Sequence, residues 1–158
     1  MMKDPVREYR EAAVRGASPV GLVVILFEEA LRSVKKAQRA LREGNIERRT
    51  LELTHVLEVL GYLQSTLDFT KGGEVAVNLS RFYDVARTKI LEANLRADDA
   101  TMEWLATQLS SHIDAWQQVD RDLTSKAAEH APASLEPAKA VASRPRARTL
   151  PPGARGRR

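Results

Sequence analysis

No cysteine occurs among the 158 residues. That excludes a disulfide framework, a Cys-ligated zinc and a thiol nucleophile. It also fits a reducing cytosol, the expected cellular location. Aromatic residues are scarce, at 5%, and no stretch alternates β-branched with polar residues over the length of a strand, so nothing points to a sheet. Long hydrophobic runs are missing too. The longest, Val20 to Phe27, stops at Glu28, far short of the roughly 20 residues of a membrane span. The opening Met1-Met2-Lys3-Asp4-Pro5 passes directly into charged residues, without the apolar core of a signal peptide. A soluble protein with no membrane insertion is expected.

Excess charge of one sign is small over the whole chain: 25 Lys and Arg stand against 21 Asp and Glu, a net +4. That figure hides a division. Residues 124–158 carry Lys126, Lys139, Arg144, Arg146, Arg148, Arg155, Arg157 and Arg158 against Glu129 and Glu136, a net +6, which leaves −2 on residues 1–123. Five of the seven prolines also lie in this last segment, with Leu135, Val141 and Leu150 its only larger apolar residues. Such a composition buries too little surface to offset chain entropy, so residues 125–158 are expected to be a disordered basic tail. The tail would suit nucleic acid or an anionic surface through counterion release. It lacks the interleaved aromatics on which bases stack, and binding of this kind is the alternative reading rather than the leading one.

What is present is helical periodicity. A short segment from Pro5 to Arg15 sets Val6, Tyr9 and Ala13 on one side, with Gly16 as its stop. Ser18-Pro19 then forms a strong helix start, a capping hydroxyl followed by a pre-set φ. Val20, Val23, Phe27, Ala30, Val34, Ala37 and Leu41 follow at helical spacing up to Gly44, a C-terminal cap, with Asn45 free to cap the next helix. A third row reads Ile46, Leu53, Val56, Leu60, Leu63 and Leu67, ending before Lys71-Gly72-Gly73, which reads as a helix–helix turn. A fourth reads Val75, Leu79, Phe82, Ala86, Ile90 and Ala93. The fifth, capped by Asp98 or Asp99, reads Met102, Leu105, Leu109, Ile113, Trp116, Val119 and Leu123. Short connections force consecutive helices to run antiparallel. The expected fold is all-α: an up-down four-helix bundle over 18–124, an amphipathic arm over 1–17 and the tail over 125–158.

Catalytic chemistry finds no support in the residues. Glu52 and His55 spell Glu-x-x-His, a di-iron ligand pair. No second pair accompanies them, and the Leu53, Val56, Leu60 row sets Glu52 at its edge and His55 outside it, so both read as surface residues. His112 reads as a boundary histidine beside the fifth row. Gly72-Gly73 has no preceding strand and no following Lys-Ser/Thr, so it is not a phosphate loop. No enzyme, cofactor or metal is expected.

The informative excess is apolar. Leu22 to Phe27 is six consecutive apolar residues, wider than one core-facing stripe. By phase, Leu22, Ile25 and Leu26 point partly away from the core, as do Leu51, Val59 and Tyr62, then Val77, Val85 and Leu91, then Trp104. Eleven residues of arm cannot cover all of these, so a groove accepting amphipathic helices of a partner is expected.

Over about residues 9–123 the chain resembles a known family, the flagellar secretion chaperones (FliS). The resemblance runs through Tyr9, Ala17-Ser18-Pro19, Leu22 to Leu26, Phe27-Glu28-Glu29-Ala30, Glu43-Gly44-Asn45-Ile46 and Leu63-Gln64-Ser65-Thr66-Leu67-Asp68. It continues with Lys71-Gly72-Gly73-Glu74, Asn78-Leu79, Phe82-Tyr83, Ile90-Leu91-Glu92-Ala93-Asn94 and Trp116. The resemblance implies a bundle with a mobile N-terminal cap that binds the disordered C-terminal segment of flagellin. It also implies delivery of that cargo to the flagellar export gate. Family positions point to Tyr9, Asn78 and Tyr83 as contacts. Helix phase adds Leu22, Ile25, Leu26, Leu51, Val59, Tyr62 and Val77. Glu29 stands where the family usually has a small residue, and Val85 where an aromatic is common. The tail after residue 125 has no counterpart in the usual member. Monomer and dimer are both compatible with these features.

Overall fold

A computed structural model of the chain describes residues 7–130, and the side chains of Glu8, Tyr9 and Val14 lie outside what it describes. Five helices follow in order: α1 Arg7–Val14, α2 Pro19–Arg42, α3 Ile46–Ser65, α4 Phe69–Arg96 and α5 Asp99–Glu129. The chain divides into two compact units, residues 1–120 and 121–158. Of the second unit only 121–130 is described.

Most helix boundaries are made by the residues expected to make them. Ser18 Oγ accepts from the Gly21 amide at 2.9 Å, and Pro19 opens α2. Gly44 takes φ 71° after α2, and Asn45 Oδ1 accepts from the Arg48 amide at 2.9 Å. Asp98, not Asp99, caps α5. Its carboxylate takes the Thr101 hydroxyl at 2.6 Å and the Ala100 amide at 3.0 Å. These bonds, the Thr101 hydroxyl first, hold the Asp98 carboxyl below the usual carboxylate range.

Two boundaries differ from expectation. The turn between α3 and α4 is Thr66–Asp68, with Asp68 capping α4 through the Thr70 and Lys71 amides at 3.0 Å each. Gly73 is therefore not the turn but a break inside α4, at φ 53° and ψ −127°, a conformation open to glycine and strained for other residues. Phe69 starts the helix. At the other end α5 continues through Glu129, so residues 125–129 of the expected tail are helical. Lys126-Ala127-Ala128-Glu129 are strong helix formers, and no proline intervenes before Pro132. The rest of the tail, 131–158, lies outside the described residues.

Cross-helix bonds fix the antiparallel order in the first unit. Along α2 and α5, Ser18 Oγ donates to Asp120 at 2.7 Å, Phe27 stacks on His112 with centroids 5.5 Å apart, and Gln38 donates to Glu103 at 3.0 Å. Along α3 and α4, Arg49 Nη2 donates to the Asn94 carbonyl at 3.1 Å and Gln64 Nε2 to Asp84 at 2.9 Å. Glu29 meets His55 at 2.9 Å between α2 and α3. Phe82 of α4 stacks on His112 of α5 at 4.1 Å. Each partner sequence number falls on one helix as it rises on the other, which is the up-down bundle. Its core contains Phe27, Ala30, Val34 and Ala37 of α2 with Leu53, Val56, Val59, Leu60 and Leu63 of α3. Tyr83, Ala86, Ile90 and Ala93 of α4 meet Met102, Leu105, Leu109 and Ile113 of α5.

Candidate functional site

Helix α4 packs three alanines with Tyr83 and Ile90 inward and leaves several large apolar residues outward. The inward row is Ala76, Tyr83, Ala86, Ile90 and Ala93, each at most 3% exposed. Meanwhile Val75 is 61%, Val77 37%, Val85 48%, Leu91 59% and Leu95 85% exposed. Leu91 and Leu95 sit one turn apart on one side, where an i, i+4 pair stacks into a continuous ridge. Val77 lies two heptads before Leu91, on nearly the same side. Val85 lies about a quarter-turn further round. Leu51 on α3 and Trp104 on α5 are also exposed. Single exposed apolar residues need no explanation, but a row along one helix marks a surface that meets something.

The residues singled out by sequence fall into three groups. Leu51, Val77 and Asn78 are exposed, and Ile25 and Tyr62 are half-buried. Leu22, Leu26 and Val59 are buried, Val59 at 0%, which corrects their reading as outward-facing, and Tyr83, singled out from its family position, is buried too, at 1%. The cause is geometric. Each bundle helix touches two neighbours as well as the centre, and α1 packs on α2 as well, so the buried arc is wider than a single seam. Tyr83 fills the space between α4 and α2, 6.2 Å from the Phe27 ring, and burial pushes its phenol far above the usual range, keeping it neutral. The fold places Tyr9 on α1, and its side chain is outside the described residues. On α1 it is Ala12 that is buried and Ala13 that is exposed, one position from the expected face.

Four apolar residues expected in the core are outside it, Leu123 among them at the end of the fifth row. Ile46, at 64% exposed, occupies the first turn of α3, below the first core layer. Val75 follows directly after the Gly73 break. Val119 lies beyond Ile113, the last fully inward residue of α5. Leu95 was not singled out at all, although the signal was present: alanines at 76, 86 and 93 leave the large α4 residues on the other phase.

Glu52 and His55 are buried, at 2% and 5%, and not on the surface as the seam suggested. They lie where α3 meets α2. Arg48 Nε donates to Glu52 at 2.9 Å, and His55 Nε2 reaches Glu29 at 2.9 Å, with Glu58 3.8 Å from Nδ1. Glu29, the departure from the family pattern, thus supplies the partner of a buried imidazole. Among the described residues no group of three or more acidic or histidine side chains is arranged to hold a metal ion. His112 is half-buried as a boundary residue, and its Nδ1 donates to the Gln108 carbonyl at 2.8 Å. No nucleophile is paired with a base in these contacts. The arrangement offers surface for binding.

Comparison with known proteins gives the family. Residues 2–123 match the family described as Flagellar protein FliS. The chain belongs to the FliS family. It is 36% identical over 110 residues to the flagellar secretion chaperone FliS of Salmonella typhimurium, covering 69% of this chain and 82% of that protein. The chain is also 27% identical over 109 residues to FliSB of Pseudomonas aeruginosa, covering 69% and 86% of the two. With FliS of Vibrio cholerae it shares 26% over 122 residues, covering 75% and 90%. As a FliS family member the chain is an export chaperone of the flagellum and not an enzyme, and its partner is an export cargo. No helix among the described residues is long and apolar enough to cross a membrane.

Proposed function

We propose that the cargo is flagellin, and that its C-terminal segment becomes helical on the outward apolar face of this bundle in the cytosol. One observation carries the reading: the inverted pattern of α4, which exposes Val77, Val85, Leu91 and Leu95 while alanines complete the core. An amphipathic helix of the partner would lay its i, i+3, i+4 anchors against that ridge, with Leu51 and Trp104 extending the contact to either side. The half-buried Ile25 and Tyr62 flank it. Covering flagellin in this way prevents premature polymerisation, and the loaded complex is what the export gate receives.

Calorimetry with about the last 40 residues of flagellin from the same organism tests this: binding should show a negative heat-capacity change, the signature of folding coupled to burial. Absence of heat and of co-elution at micromolar protein would refute it.

A further inference from the structure

The bundle carries a cationic cleft where the end of α2 meets the start of α3. Arg32, Lys36 and Arg39 occupy one side of α2 at i, i+4, i+7 spacing, a row about 10 Å long at 1.5 Å per residue. At its lower end a cleft of about 350 Å³ opens between α2 and the start of α3, lined by Lys36, Arg39, Ala40, Glu43, Asn45 and Arg48. Its floor, Ala40, is 2% exposed. Three cations thus face one anion across a small apolar base, within a domain whose residues 1–123 are net negative. Arg48 is held in place by Glu52, and Arg32 by Glu29 at 2.7 and 3.1 Å. These bonds fix the long side chains before any ligand arrives, which lowers the entropy cost of binding. Arg39 is exposed.

We infer that this cleft docks an acidic segment of a partner protein, a carboxylate entering between Lys36, Arg39 and Arg48 and further acids following the row toward Arg32. Charge complementarity names the occupant. Arginine forks match carboxylates in bidentate geometry, and the row spacing is that of acids along one face of a helix. A nucleic-acid strand fits less well, because no aromatic lines the cleft for stacking. The inference is independent of the flagellin reading.

The test uses the full chain and a capped alanine-based peptide of about twelve residues with Glu at i, i+4, i+7, with its Gln isostere as control, at about 0.05 M salt where screening is weak. The expected result is binding of the Glu peptide over the Gln peptide, weakened about tenfold by Arg39→Glu, with hydrogen-exchange protection centred on residues 36–48. A Lys peptide of the same spacing should regain affinity for Arg39→Glu, which a merely structural lesion would not produce. Equal binding of wild type and variant overturns the inference, as does protection confined to the basic tail. A single-stranded oligonucleotide that binds through Arg39 more tightly than the peptide overturns it in favour of nucleic acid.

Discussion

Leu91 and Leu95 separate binding from folding more cleanly than any other pair in the chain. Burying a leucine side chain in full contributes about 1.5–3 kcal/mol. With 59% and 85% of the two residues still exposed, most of that gain is available to a partner and little has been used in folding. Leu91→Ala/Leu95→Ala removes each leucine beyond Cβ and leaves a good helix former. It should therefore weaken the flagellin segment by about 2 kcal/mol, roughly thirtyfold in Kd, while changing stability by less than about 1 kcal/mol. The neighbouring Ile90, 1% exposed, is the control: Ile90→Ala leaves a cavity and should cost about 2–5 kcal/mol of stability. Titration calorimetry with the flagellin segment and thermal unfolding by circular dichroism measure the two quantities separately. If the double variant unfolds like wild type and binds the segment equally well, the ridge on α4 is not the docking surface.

The backbone and the caps carry further predictions. Ala97 ends α4 in the left-handed region at φ 54° and ψ 48°. That conformation costs an L-residue about 1–2 kcal/mol, of which glycine's greater chain entropy returns about 0.5–1 kcal/mol. Ala97→Gly should therefore raise Tm by about 2–4 °C; a lower Tm in a calorimetric scan would contradict the argument. Gly73→Ala meets no neighbour within 4 Å of the added Cβ, so any loss comes from backbone strain alone, about 1–3 kcal/mol, read as a lower urea midpoint. Asp98 binds its proton more weakly in the folded chain than in the unfolded one. The stability it contributes is thus complete above the ordinary Asp value of 3.8 and is lost as pH falls through the lowered folded value. Asp98→Ala should flatten this acid limb in a pH series of melts. An unchanged limb would show that other carboxylates set it.

The helices were legible in the sequence because their punctuation is local. Ser18-Pro19, Gly44-Asn45 and Asp98 each act through a bond to an amide two or three residues away, and residue type alone predicts such bonds. Gly73 was misread because glycine signals a special φ without saying whether the chain turns or kinks there. Burial was less legible, since it depends on all neighbours of a helix at once. Glu52 and His55 lay off the predicted seam of α3 yet are buried: Glu52 takes Arg48 of its own helix at i, i+4, whereas His55 meets Glu29 of α2. A charged residue's partner on another helix has no trace in the spacing along its own.

The same distinction decides which apolar surplus has functional meaning. The six apolar residues from Leu22 to Phe27 drew attention first, yet α1 and the neighbouring helices cover much of that side, leaving Leu22 at 7% and Leu26 at 1% exposed. A surplus on a helix that has a cover segment is consistent with plain core packing. On α4 the surplus cannot be absorbed in that way. Its inward positions are already occupied by alanines at 76, 86 and 93, and turning the helix to bury Leu91 and Leu95 would send Tyr83 and Ile90 into water. Because the inward set includes one tyrosine and one isoleucine packed at full depth, the fold holds the outward leucines where they are. Among the described residues the ridge thus has no route to burial that keeps Tyr83 and Ile90 inside, which is why the proposed cargo is set against it.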